Sequence, residues 1–128
     1  MIRGVVALAV AVVALAPAAA ASTGYSFGRE GGNIRPFTVT VTSGGAVRVN
    51  GPVTVGRTNL TTAQLAVLAK AAQAVDFAGG QVLCPHTLPD VAATFVQAGA
   101  RRLSVHGVCD LPYTKLWNAL VAAVKLGY

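Results

Sequence analysis

The chain has 128 residues, with ten Lys and Arg against four Asp and Glu and a formal net charge of +6. About 107 residues remain once an export segment is set aside, enough for one small domain with a single core and too few for two. Regular Val, Leu and Ala positions argue against disorder, and basic residues that never cluster beyond a pair argue against a dedicated nucleic-acid stripe.

Residues 1–21 read as a cleaved secretory signal peptide. Met1-Ile2-Arg3 is a short positive start, Val5 to Ala16 an unbroken apolar run closed by Pro17, and Ala18 to Ala21 the small residues a signal peptidase reads. The apolar run is too short to span a bilayer comfortably as a helix, and no second stretch of membrane length follows. The expected product is a single domain over 22–128, secreted or held in the cell envelope without transmembrane anchoring. Without Arg3, nine basic residues face Glu30, Asp76, Asp90 and Asp110, leaving a charge of +5 that favours anionic surfaces. Heavy use of Ala, Val, Gly and Arg over Lys fits a GC-rich bacterial genome.

Tyr25 to Arg29 can form a short opening strand, and Glu30-Gly31-Gly32 a turn in which positive φ carries no steric cost. Phe37-Thr38-Val39-Thr40-Val41-Thr42 alternates without exception, the period of a half-buried strand with Phe37, Val39 and Val41 facing a core. Ser43-Gly44-Gly45 predicts a hairpin turn, and Ala46 to Asn50 returns with Val47 and Val49 inward. Gly51-Pro52 ends that strand, with Val53 to Val55 as a short extension at the sheet edge.

Thr61-Thr62-Ala63-Gln64 reads as a capping box, with Leu60 and Leu65 placed as a hydrophobic staple. Leu65, Leu68, Ala72 and Val75 then recur at helical spacing until Gly79-Gly80. Gln81 to Pro89 reads as a loop because it holds two prolines and a cysteine. Val91 to Ala98 and Arg101 to His106 form a second predicted hairpin, with Leu103 and Val105 inward. Asp110 is placed to cap a last helix with Pro112 in its first turn, and Leu116, Trp117, Leu120, Val121 and Val124 form its apolar stripe. Trp117 is expected in the core. The order β-β-β-α-β-β-α predicts an α+β domain, an antiparallel sheet of about four to five strands with two helices packed on one face.

Candidate chemistry is confined to a few residues. Cys84 and Cys109 are the two cysteines, and an even number in an exported chain is most simply one disulfide. Cys84-Pro85-His86 and His106-Gly107-Val108-Cys109 offer an alternative, since zinc accepts two sulfurs and two imidazoles, with Cys84, His86, His106 and Cys109 as ligands. A cysteine nucleophile paired with either histidine is a further option without a clear orienting group. The patterns G-x-S-x-G, H-E-x-x-H and the phosphate-binding loop do not occur, so the chain reads as non-enzymatic, with no cofactor.

Phe27-Gly28-Arg29-Glu30-Gly31-Gly32, then a Thr/Val strand, a hairpin, the Leu60-Thr61-Thr62-Ala63-Gln64-Leu65 helix entry, a second hairpin and a Leu/Val helix, resembles the emfourin-type bacterial protease-inhibitor domains. The resemblance covers most of residues 22–128 and implies inhibition of thermolysin-like metalloproteases. The two cysteines and the proline-containing loop depart from that layout, and no site residue is carried over. The expected function is a small exported interaction domain whose partner is a protein, a secreted protease as the leading case. Val82, Leu83, Pro85, His86, Thr87, Leu88 and Pro89 form the candidate binding loop. The other reading is an envelope-associated binding or structural protein whose basic surface meets anionic polymer or lipid headgroups.

Overall fold

The structure, a computed structural model, describes residues 23–128. The predicted signal peptide and its expected cleavage point lie outside the described residues. The chain runs β1 (Tyr25–Glu30), β2 (Phe37–Val41), β3 (Val47–Asn50), β4 (Thr54–Val55), α1 (Thr62–Gln73), β5 (Gln81–Leu83), β6 (Ala93–Ala98), β7 (Arg101–His106), α2 (Pro112–Val124) and β8 (Leu126–Gly127).

The composition is α+β, as the sequence predicts. The sheet, however, is six-stranded and mixed, in the order β3-β2-β1-β6-β7-β5, with a separate two-stranded ribbon of β4 and β8. Two corrections follow. Gln81 to Leu83 is an edge strand rather than the start of a loop, because the carbonyl of Gly80 and the amide of Cys84 bond to Ser104 and His106 of β7 in parallel register. Val53 to Val55 does not extend the main sheet; Thr54 and Val55 pair with Gly127 and Leu126 instead.

The alternation of β2 works as its spacing demands: Phe37, Val39 and Val41 are buried. Strand β1 pairs antiparallel with both β2 and β6, placing Phe27 opposite Val39 and Val96 at the sheet centre. These residues share one core with Leu103 and Val105 of β7, Leu68 and Ala72 of α1, and Leu116, Leu120 and Val124 of α2. Val47 is buried, whereas Val49, expected inward, is 38% exposed on the outermost strand. An edge strand has neighbours on one side alone, so correct alternation does not guarantee burial there.

Helix α1 starts where its sequence says. The Thr61 hydroxyl accepts from the Gln64 amide, and the Gln64 side chain accepts from the Thr61 amide, so the capping box closes. Helix α2 starts differently. Leu111 occupies the N-cap position with no side-chain cap, so Asp110 does not serve as the cap. Pro112 offsets part of that loss, since a proline in the first turn has no amide to leave unpaired. The Thr114 hydroxyl meanwhile donates to the Cys109 carbonyl and ties the helix to the preceding turn.

Candidate functional site

The register gathers several chain segments at one end of the sheet. Glu30 closes β1 opposite Ala93 of β6, and Ala93 also pairs with His106, which in turn neighbours Leu83. The turn after β1, the connection from β5 to β6, and the lead into α2 therefore leave from the same end. Because β5 and β6 flank β7, residues 84–92 must pass around the point where β7 exits. Gly107 permits this crossing: it takes φ of 84°, and a Cβ there would collide with the Thr87 hydroxyl. Gly32, at φ of 64°, lies against the backbone of Asp90 and Ala92, closing the β1 turn onto the same crossing.

Cys84 and Cys109 form a disulfide across this end, joining positions 25 apart in sequence. Cys84 is buried and Cys109 partly so. The Thr87 hydroxyl donates to the Cys84 carbonyl at 2.6 Å and lies 3.4 Å from the His106 carbonyl, which also accepts from the Cys84 amide. The bridge, these bonds and Gly107 hold residues 84–92 and 107–111 against each other.

The predicted binding loop is thus divided by the fold. Val82 and Leu83 belong to β5, Cys84 is core, and Thr87 turns inward as a hydrogen-bond donor. Pro85, His86, Leu88 and Pro89 are exposed, and His86 adopts a left-handed φ of 61°. Leu83 and Leu88 are 73% and 67% exposed, and Val108 on the facing lead is 94% exposed. Val108 escaped sequence reasoning because a single valine between a glycine and a cysteine carries no periodic signal.

The alternative zinc set is not assembled. Its two sulfurs are bonded to each other, and no cluster of three or more His, Cys, Asp or Glu residues exists among the described residues. The same bond leaves neither cysteine as a free nucleophile.

Two adjoining hollows open beside the stapled segments, sharing Arg29, Thr94, Gly107 and Val108. One, of about 240 Å³, lies against α2 and adds Val105, Cys109, Tyr113 and Trp117. The other, of about 310 Å³, adds Ile34, Val91 and Ala92. Trp117 is half-buried, packing edge-to-face on Phe27 with centroids 5.5 Å apart while lining the first hollow. Its expected core role therefore holds for one edge of the ring only.

The polar groups at the floor are fixed. The Tyr113 hydroxyl and the Thr94 hydroxyl lie 2.7 Å apart, and burial pushes the Tyr113 phenol up to about 12, against a smaller downward pull from Thr94. Arg29 lies over the Tyr128 ring, 5.0 Å from its centroid, and Tyr128 meets Phe37 edge-on. On the opposite face of the sheet, Arg102 stacks on Phe95 and pairs with Glu30, whose other oxygen accepts from Ser104. That cluster satisfies itself, and it leaves Arg29 outside the ion pair.

No family model, curated protein or solved structure matches this chain. Among the described residues no helix is long and apolar enough to cross a membrane.

Proposed function

We propose that this protein is an extracytoplasmic, non-enzymatic interaction domain that inhibits a secreted protease through the stapled end of its sheet. The observation that carries the reading is the disulfide between Cys84 and Cys109, which fixes two segments that carry Leu88 and Val108 into solvent. Apolar side chains on a rigid frame lose little freedom on docking, so their burial is available to stabilise a complex. A protease inhibitor depends on such pre-organisation. The disulfide also supports an oxidising compartment, in keeping with the export segment. The likeness of Phe27 to Gly32 and the following layout to emfourin-type domains points to metalloproteases as the first targets.

The mature protein should inhibit at least one enzyme in a panel of secreted metalloproteases and serine proteases at roughly nanomolar to micromolar concentration. Val108→Asp should weaken that inhibition at least tenfold while leaving the melting temperature close to the parent's, since the side chain is almost wholly exposed. The positive charge of the chain supports the second reading, binding to anionic envelope polymer. An inactive panel together with sedimentation on such polymer that fades steeply with salt would replace inhibition by that reading.

A further inference from the structure

The hollows beside the stapled segments have a composition that selects a ligand. Their walls are mainly apolar, with Ile34, Val91, Val105, Val108 and one side of Trp117 exposed to them. Arg29 is the one charged residue lining either hollow, and it lines both. Among the described residues the ion pair is between Arg102 and Glu30, so the Arg29 guanidinium has no carboxylate partner there. The Tyr128 ring, whose centroid lies 5.0 Å from the guanidinium carbon, offers its face and not an in-plane acceptor for the Arg29 donors. The backbone N–H groups of Gly107 and Val108 likewise have no acceptor among the described residues. Asp90 and Asp110 are neighbours in sequence of the lining residues Val91 and Cys109, but neither lines a hollow.

We infer that this groove docks the C-terminal apolar residue of a partner polypeptide, its side chain against Trp117 and Val108 and its chain-end carboxylate on Arg29. The inference rests on the interaction-domain reading and names the partner's chemistry. The hollows, of about 240 and 310 Å³, lie near the lower limit of about 300 Å³ usual for small-molecule sites, room enough for one terminal residue. A chain-terminal residue places an apolar side chain and a carboxylate on the same Cα, so one residue satisfies both demands of the groove. An internal acidic residue needs a second, apolar residue to fill the groove, and an extended chain directs its immediate neighbours to the other side. Charge-assisted and bidentate bonding makes Arg the fitting residue for a carboxylate.

Trp117 is the one tryptophan of the chain and a direct reporter. Its fluorescence should change on titration with a short neutral peptide ending in leucine, and the free acid should bind at least tenfold tighter than the same peptide amidated at its C-terminus. Arg29→Gln should abolish that acid-over-amide preference, and Val108→Asp should weaken the acid at least tenfold. Circular dichroism and thermal melts establish that each variant folds. If Arg29→Gln does not fold, Arg29→Lys provides the test, with a reduced but surviving preference expected. Equal binding of acid and amide, no response at roughly millimolar peptide, or binding of dodecanoate without binding of peptide would each overturn the inference. Protease inhibition without peptide capture removes this inference alone. Peptide capture without inhibition removes the inhibitor reading alone.

Discussion

The two halves of the sheet are held by different means. Strands β1, β2 and β3 form a meander of antiparallel ladders whose partners lie close in sequence, with β2 paired on both sides. At the other edge, β5 has three residues in parallel with β7, and its continuation is pinned by Cys84 to Cys109. A three-residue parallel strand offers few ladder bonds, and parallel pairing is the slightly weaker kind per residue. The covalent tie therefore belongs where backbone pairing is least able to hold the chain, and that is where the exposed apolar side chains are presented. Order at this end is supplied in part by a covalent bond, anchored in the core through Cys84.

The largest effect should come from the ring both halves share. Phe27→Ala, at a fully buried site between Val39 and Val96 and against Trp117, should cost roughly 3–5 kcal/mol by denaturant titration. Loss of protection throughout the sheet is expected in hydrogen exchange. Protection lost from one edge alone would show that the halves do not depend on a common core.

Removing the tie separates the halves. Cys84→Ala with Cys109→Ala should lower stability by about 3.5 kcal/mol on the chain-entropy account for a 25-residue separation. In the double variant, amide exchange should accelerate most over residues 81–92 and 107–111, while β1 to β3 keep their relative protection. Uniform acceleration would contradict the division of labour.

Alkaline titration probes the floor of the groove. The Tyr113 phenol titrates near 12 when folded and near 10.0 when exposed, so the folded state holds the proton more tightly. Its contribution is complete below about pH 10 and is lost as pH rises through about 12, a loss on the order of 2–3 kcal/mol for one site. Tyr113→Phe should flatten that part of the stability profile. An unchanged profile, followed by tyrosinate absorbance and denaturant midpoint together, would place the shift elsewhere.

The smallest effect should lie at the start of α1. Thr61→Ala removes the hydroxyl acceptor of the Gln64 amide and should cost about 1 kcal/mol. Asp110→Ala should cost less, because Asp110 makes no cap for α2. A larger loss at Asp110 than at Thr61 would reverse the contrast between the two helix entries.

Elements with local causes were legible in the sequence. The Thr/Val alternation of β2 is imposed by the two-residue period of a strand, and the capping box of α1 by amides within four positions of Thr61. Strand β5 was not legible, because Gln81-Val82-Leu83 is too short to show a period and its partner lies more than twenty residues away. Asp110 misled for a local reason. Pro112 opens the helix and holds the residue before it extended, so Leu111, at φ of −137°, takes the N-cap position and Asp110 falls one residue too early.

By itself the sequence determined the α+β composition, the faces of β2 and β7, the start of α1 and the two cysteines available for pairing, since each depends on residue type and spacing along a short stretch. Only the tertiary structure decided that the sheet is mixed, that β4 leaves it to pair with β8, and that the proposed binding loop begins as a strand. It alone brought Arg29, Val91, Val108 and Trp117, from four separate segments, around one groove. The physical reason is that pairing between distant strands and the crossing of 84–92 past Gly107 depend on backbone bonds and close approach between segments. No local period records them.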